Sequence, residues 1–291
     1  MKIVEPSAVI LEPELAGLSV CQRIDRCASV CYQRPPKPTE EDAEAFCRKL
    51  IERGHLPALE FATIHLTVPF WSSLDWREEK YLHVHHNRNS PVGVVSGSIR
   101  AFMETDHGAH VGNFLASELP LFFAESDLPR GFVHFASPDE IPWQHKHVAV
   151  SVICSRAISH QLVRHRPCSF LQESQRYCRY DDEVVFIRPE WVSAEHFGEQ
   201  PEFAGWAWER AMETAELRYQ QMLKNGLTPQ QARAVLPEST KTELIMYASL
   251  PEWLHIFKMR CSRAADSEIR RIMLPLREQF KTKYPEMWEE N

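Results

Sequence analysis

The chain has 291 residues, and its 44% hydrophobic and 25% charged content is that of an ordinary soluble globular protein. A formal net charge of −7 argues against a general nucleic-acid binder, so an anion site would have to be local and built from clustered arginines. No apolar run is long enough to span a membrane, and Glu5, Pro6 and Glu12 interrupt the apolar core that a signal peptide would need.

The patterns of apolar residues, caps and breakers predict elements along the whole chain. Strands are predicted at 2–11, 60–69, 92–95 and 148–154, with an extended segment at 183–188. Helices are predicted at 17–33, 39–53, 98–104, 110–125, 155–164 and 200–225, from Thr228 onward, and at 240–248, 252–259 and 264–281. Thr39 and Ser155 are placed to cap the helices that follow them, because a hydroxyl can accept from the free N–H groups of a first turn.

Residues 67–146 give the weakest pattern, and we interpret them as an insertion within a single domain of residues 1–291. His83 and His85 share one face of a strand, which would suit a metal, but neither a cysteine nor a paired acid completes the set. We therefore expect exposed loop histidines and predict no metal site. The histidines concerned are His83, His85, His86, His107 and His110.

The eight cysteines indicate reduced thiols in a cytoplasmic protein, because the sequence has no export signal and no CxxC pair. Cys21, Cys27 and Cys31 lie on one short helical stretch and are expected to be small core residues.

The densest polar cluster runs from Arg164 to Arg176. Its arginines can bind a phosphate through paired hydrogen bonds, and its amide, carboxyl and hydroxyl groups suit a sugar or a base edge. The alternative is a solvated basic turn, since charge clusters usually face water. Arg233, and the pair His255 and Arg260, are further candidates, although each on its own could be a surface or salt-bridged residue.

These clusters resemble the flavin-dependent thymidylate synthase family. Arg164-His165-Arg166, seven residues and then Ser174 match its signature, and the flanking SRAISHQLVRHR and SQRYCRY are similar to it. Further similar motifs follow in order: GHLPALE at 54–60, ARAVLP at 232–237, the helix bearing His255 and Arg260, and AADSEIR at 264–270. The similarity covers most of residues 1–66 and 147–285. It implies an α+β fold with a mixed or antiparallel sheet and long helices.

The resemblance implies a role for each matching residue. Those expected to bind dUMP are Gln161, Arg164, Gln172, Glu173, Ser174, Gln175, Arg176, Arg233 and Arg260, with Arg233 donated by a neighbouring subunit to the phosphate. Those expected to contact FAD are Arg164, His165, Arg166, Gln172 and His255. The implied enzyme is a cytoplasmic homotetramer that binds neither nucleic acid nor membrane. It converts dUMP and methylene-tetrahydrofolate to dTMP, with FAD as the working cofactor and NADPH as the reductant.

Arg260 is the expected catalytic residue. Activating uracil toward a one-carbon electrophile places negative charge on the ring, and a fixed guanidinium stabilises that charge most strongly in a dry site. The flavin would supply the redox chemistry, so no protein nucleophile is expected. Pro167-Cys168 superficially resembles the Pro-Cys nucleophile of the unrelated folate-only thymidylate synthases, but its flanking motifs do not. We therefore predict that Cys168 is not catalytic.

The chain also departs from the family pattern. Pro57 stands where Ser or Thr is usual, and Phe61 where His is usual. Ser249-Leu250-Pro251 replaces Asn-Leu-Arg, which removes an amide and a guanidinium expected near FAD. One hypothesis is that Arg100, at the start of a helix, supplies the missing charge, since helix N-termini readily bind phosphates.

Two alternative functions are left open. One is a relative that transfers a different one-carbon unit, such as hydroxymethyl, to a pyrimidine nucleotide, which product analysis would separate from methylation. The other is a nucleotide-binding homologue without catalysis, against which the retained arginines argue.

Overall fold

The structure, a computed structural model, describes residues 1–70, 76, 79–86, 90–105, 108–124, 132–193 and 201–289. The strands are β1 (Lys2–Val4), β2 (Ser7–Ile10), β3 (Thr63–Pro69), β4 (His83–His86), β5 (Val92–Ser98), β6 (His134–Phe135), β7 (His147–Ser155), β8 (Ser169–Gln172), β9 (Val185–Ile187) and β10 (Lys241–Ser249). The α-helices are α1 (Glu12–Leu15), α2 (Val20–Ala28), α3 (Glu40–Glu52), α4 (Ile99–Glu104), α5 (Gly108–Glu118), α6 (Arg156–Leu162), α7 (Pro201–Lys224), α8 (Pro229–Ala232), α9 (Leu250–Arg260), α10 (Ser267–Lys283) and α11 (Glu286–Glu289). Helices combined with antiparallel sheets confirm the predicted α+β class.

The chain divides into two compact units. Unit 1 comprises Met1–Glu14, Ala28–Pro35 and Ala149–Asn291, and unit 2 comprises Leu15–Cys27 and Pro36–Val148. The whole predicted insertion, residues 67–146, falls in unit 2. That it is an insertion within one domain stays a prediction.

Unit 1 is built on a four-stranded sheet with the order β2-β7-β10-β8, beside a parallel pair of β1 and β9. β2 runs antiparallel to β7, and β8 runs antiparallel to β10. The single strand predicted at 2–11 is two strands, separated at Glu5 and Pro6. Proline lacks the N–H that a continuous ladder would need at this point.

The helix predicted at 240–248 is wrong, because β10 occupies these residues. Leu244 to Ala248 are all buried, so this part of the strand shows no alternation of polar and apolar residues. Periodicity alone cannot separate a short apolar run in a central strand from a segment of buried helix. The β-branched and aromatic residues of the run were the signal that favoured a strand.

The core of unit 1 is closed by the long helices. α7 packs Trp208, Met212 and Tyr219 against Phe186 of β9. The predicted helix at 200–225 is confirmed by α7, and those at 252–259 and 264–281 are confirmed by α9 and α10. An aromatic cluster of Trp253, Phe257 and Phe280, with ring centroids 5.0–5.8 Å apart, joins α9 to α10.

Three strands pass directly into a helix through a serine of the same conformation. Ser98, Ser155 and Ser249 have φ between −71° and −66° and ψ between 156° and 159°. Each hydroxyl accepts a hydrogen bond from the N–H three residues later, at distances of 3.1, 3.3 and 3.4 Å. The predicted cap at Ser155 is confirmed, as is the cap at Thr39 before α3.

Unit 2 contains a four-stranded antiparallel sheet with the order β4-β5-β3-β6, together with α2, α3, α4 and α5. The strands predicted at 60–69 and 92–95 are confirmed by β3 and by the longer β5. His83, His85 and His86 lie in β4 and not in a loop. His107 lies outside the described residues, and so does the side chain of His110. No helix among the described residues is long and apolar enough to cross a membrane.

Candidate functional site

The arginine cluster of the Arg164–Arg166 turn begins where α6 ends, in unit 1. α6 starts at the Ser155 cap and stops at Leu162, two residues before its predicted end. Arg164 and Arg166 in the following turn are exposed, whereas His165 between them is buried. The turn is held by His165 N, which donates to Leu162 O at 3.1 Å, and by Cys168 N, which donates to His165 O at 3.1 Å. The alternation therefore presents two cations outward around a buried imidazole.

Arg260, at the end of α9, is fixed against this turn by two hydrogen bonds. Its Nε donates to His165 Nε2 at 2.9 Å, and its Nη2 donates to Gln161 O at 2.8 Å. A guanidinium nitrogen can only donate, so Nε2 of His165 must be unprotonated and Nδ1 carries the ring proton. Burial, then the charges of Arg260 and His255, lowers the pKa of His165 to about 4, which keeps the ring neutral.

Glu252, in the first turn of α9, is a residue that the sequence interpretation missed. Its Oε1 lies 3.8 Å from Nδ1 of His165, and this buried oxygen has no hydrogen-bond partner among the described residues. Burial raises the pKa of the Glu252 carboxyl. A sequence signal existed: Ser249 followed three residues later by Glu is a capping-box pattern. Glu252 and His255 are also three apart and therefore share a helix face.

His165, Glu252 and His255 bring ligand atoms within 4.8 Å of one another, as a metal site would. However, Nε2 of His165 is occupied by the Arg260 donor, so a metal would have to displace the proton on Nδ1. That would leave an imidazolate or break the contact to Arg260. The donor set therefore does not fit a metal ion.

β8 and the loop after it position the next predicted residues. Gln172 Nε2 donates to Thr242 Oγ1 at 3.1 Å, and Ser174 N donates to Cys31 O at 3.1 Å. Arg176 Nε donates to Gln230 Oε1 at 3.2 Å, and its guanidinium lies over the Tyr177 ring, 5.6 Å from the centroid.

Glu173, unlike its neighbours, points into the protein. One carboxylate oxygen accepts from Tyr180 Oη at 2.6 Å, and the other accepts from Lys241 Nζ at 2.9 Å and Glu243 N at 3.1 Å. The side chain is buried, and this network borders a cavity of about 340 Å³ lined also by Gln33 and Tyr177. Its carboxylate is therefore already satisfied by protein donors. The predicted contact of Glu173 with a nucleotide stays a prediction.

Arg233 lies at the C-terminal end of α8, at the start of a 3-10 turn, and is exposed. Like Arg164 and Arg166, it makes no ion pair or side-chain hydrogen bond with any residue that the structure describes. The structure thus brings Gln161, His165, His255 and Arg260 together, with the His165 and His255 rings 6.1 Å apart. It does not link Arg233 to them within one chain.

The surroundings of Cys168 and Arg100 bear on two further hypotheses from the sequence. Cys168 is buried, and burial followed by the charge of Glu252 raises the pKa of its thiol, which opposes a nucleophilic role. Arg100, in unit 2, donates to Glu60 at 2.7 Å and to Glu104 at 2.9 Å. Its charge is already paired, so the hypothesis that it replaces the missing FAD contact finds no support.

Comparison with known proteins decides the family. The sequence model of a family described as thymidylate synthase complementing protein matches residues 135–286, which is more than half of the chain. The chain belongs to this family. The resemblance found in the sequence is thereby confirmed.

Relatives named flavin-dependent thymidylate synthase show the same likeness. The protein of Pyrococcus furiosus is 35% identical over 130 residues, which are 44% of this chain and 51% of the relative. That of Geobacter sulfurreducens is 36% identical over 123 residues, which are 42% of this chain and 50% of the relative. The chain thus spans about half the length of these curated relatives.

One solved structure with a detectable likeness is the UMP/dUMP methylase PolB from Streptomyces cacaoi bound with 5-Br dUMP. Its TM-score is 0.43 at 22% identity, over 48% of this chain and 68% of that chain.

Proposed function

We propose that this protein is a flavin-dependent thymidylate synthase, an enzyme that makes dTMP from dUMP. Methylene-tetrahydrofolate would be the carbon donor, reduced FAD the hydride source and NADPH the reductant. One family domain would span residues 1–291, and the chains would assemble as a homotetramer. Family membership supports the reaction class. The observation that carries the proposal is Arg260, held by His165 and Gln161 at the arginine-rich turn.

The chemistry of the turn fits two anionic ligands. Arg164 and Arg166 are exposed cations without an ion-pair partner among the described residues, on either side of a neutral imidazole. Arginine binds phosphates through paired, planar hydrogen bonds. In the proposal, FAD is held by Arg164, His165, Arg166, Gln172 and His255. The nucleotide is held by Gln161, Arg164, Gln172, Glu173, Ser174, Gln175, Arg176, Arg233 and Arg260.

Arg260 would act on the uracil ring. Two hydrogen bonds fix its guanidinium before substrate arrives, so little reorganisation is needed when negative charge develops on the ring. The arginine stays protonated and so stabilises charge without transferring a proton. FAD, when bound, supplies the redox chemistry. The chain's own residues would bind and orient the two ligands and stabilise the charge on the uracil ring.

The test is product analysis with the full-length protein. A purified protein with a flavin spectrum should be bleached by NADPH, reoxidise in air and convert dUMP with methylene-tetrahydrofolate to dTMP. If the product is a hydroxymethylated nucleotide, the protein catalyses the alternative one-carbon transfer and not methylation. A colourless protein that cannot bind added FAD would overturn the enzyme proposal in favour of a nucleotide-binding homologue.

A further inference from the structure

A row of polar side chains crosses one face of the sheet in unit 2. His83 of β4 lies directly opposite Ser96 of β5, and Ser96 lies directly opposite His65 of β3. Residues directly opposite one another in a sheet point to the same face. His85, two residues after His83, shares that face as well because side chains alternate along a strand.

His145 covers this row from the 3-10 turn Trp143–His145. The Ser96 hydroxyl lies 2.7 Å from Nδ1 of His65 and 2.8 Å from Nδ1 of His145. The His145 ring centroid is 5.9 Å from that of His83 and 6.1 Å from that of His85. His147, whose Nδ1 lies 2.9 Å from His145 O, adds a ring 5.9 Å from His83. Five imidazoles therefore gather on one sheet face.

The hydrogen bonds of Ser96 allow Nε2 of His145 to keep a lone pair. The serine hydroxyl has one proton, so it donates to one ring and accepts from the other. When His145 donates through Nδ1, its Nε2 keeps a lone pair. Metal-bound histidines are commonly oriented in this way, by a hydrogen bond from the other ring nitrogen.

We propose that His83, His85 and His145 bind a divalent metal ion of the Zn²⁺ class, with a fourth position open to water. Three histidines and one water are an established zinc ligand set, and it needs neither cysteine nor an acid. With Zn–N bonds of about 2.0–2.1 Å and tetrahedral angles, ring centroids lie about 5 Å apart. The two measured centroid separations exceed this by about 1 Å. His83 and His85 are exposed, so their rings can turn inward to close the difference.

This proposal does not rest on the proposed function, because the two proposals share no residue. All its ligands lie in unit 2, and none is among the residues proposed to bind dUMP or FAD. At His165, the Arg260 donor occupies the ring nitrogen that a metal would need. Among the described residues, no arginine donates to a ring nitrogen of His83, His85 or His145.

Metal titration of the full-length, chelator-treated protein tests the proposal. Co²⁺ should bind with one equivalent per chain and develop the visible absorption of a tetrahedral site, and Zn²⁺ should displace it with a Kd of about 1 µM or tighter. His83→Ala/His85→Ala should weaken Zn²⁺ binding by about 100-fold or more, since loss of even an orienting partner costs ~10–100-fold in metal affinity. His86→Ala is the matched control, because His86 is on the same strand but the opposite face, where it packs edge-on against Phe70 at 4.8 Å.

Three results would overturn the metal site: no Zn²⁺ binding below about 100 µM, unchanged binding by the double variant, or loss of binding in His255→Ala. Circular dichroism checks that each variant is folded. Should the double variant fail to fold, His83→Ala and His85→Ala are measured singly, and each should weaken Zn²⁺ binding by about 10-fold or more. Retention of wild-type affinity in both single variants would again reject the proposal.

Discussion

Arg260 donates hydrogen bonds from two guanidinium nitrogens, and these two bonds determine how a substitution should affect activity. Lysine offers a single point charge and cannot bond His165 Nε2 and Gln161 O in the same fixed geometry. We expect Arg260→Lys to lower kcat/KM for dTMP formation by ~10²–10³-fold, the usual cost of one preorganised donor. Arg263→Lys, at an exposed arginine nearby in sequence, is the control and should be near wild type. Comparable kcat/KM for both variants would contradict the role of Arg260.

The neutrality of His165 makes a prediction about stability in acid. Its pKa is lowered to about 4 in the folded protein, from an ordinary value of about 6.5. As the pH falls below about 6.5, His165 takes up a proton in the unfolded chain before it does so in the folded protein. Its contribution to the free energy of unfolding is therefore fully present above about pH 6.5 and is lost between pH 6.5 and 4. The loss should be on the order of 3 kcal/mol. Urea unfolding across this range should show a shallower pH dependence for His165→Gln than for wild type. Identical pH dependence would show that folding does not lower the pKa of His165.

Because the Cys168 thiol is buried, we expect the enzyme to tolerate its substitution without losing activity. Burial and Glu252 both raise its pKa, so little thiolate is present at neutral pH. We expect Cys168→Ala to keep most dTMP-forming activity, and wild-type Cys168 to react slowly with iodoacetamide, followed by mass spectrometry. Cys261, which is only partly buried, serves as the internal comparison for labelling. Loss of turnover in a folded, FAD-binding Cys168→Ala would restore the nucleophile hypothesis.

At the scale of elements, the serine caps connect local sequence to the site. Ser155 caps α6, and the Gln161 carbonyl of this helix accepts a hydrogen bond from Arg260. Loss of the cap should therefore destabilise a helix that positions Arg260. We expect Ser155→Ala to lower the free energy of unfolding by about 1 kcal/mol, the usual cost of a lost N-cap. Ser267→Ala is the control, because Ser267 is exposed and Asp266 provides the cap of α10. Urea denaturation measures both, and equal stability of the two variants would show that the Ser155 cap contributes little.

The caps were also the part of the fold that sequence predicted best, and the reason is physical. Capping depends on residues a few positions apart, so Thr39 and Ser155 are visible without tertiary structure. β10 was misassigned because a central strand is defined by its neighbours, which the sequence does not show. The same limit applies to the sites. The family motifs identified Arg260 and His165, but the Ser96 link to His145 joins residues 49 apart and needed the fold.

At the scale of the whole molecule, the proposed nucleotide site includes Arg233, which the structure does not link to the other proposed residues within one chain. Arg233 is exposed and makes no ion pair within the described chain, while Gln161, His165 and Arg260 are linked to each other. An exposed guanidinium of this kind is suited to a phosphate on a neighbouring subunit, as the homotetramer proposal requires. The sites would then be shared between chains, and each site would draw Arg164 from one subunit and Arg233 from another.

Shared sites predict complementation between two inactive variants. Arg164→Ala and Arg233→Ala should each lose most activity alone, since each removes one half of every site. When the two variants are mixed 1:1 and their chains associate at random, about a quarter of the sites combine an intact Arg164 with an intact Arg233 from another chain, so about a quarter of wild-type activity should return. Mixing Arg164→Ala with the Arg164→Ala/Arg233→Ala double variant is the matched control, because no combination of these chains restores Arg164. Differently tagged chains purified in tandem would prove that hybrids form. Hybrids without recovered activity would place Arg233 in the site of its own chain.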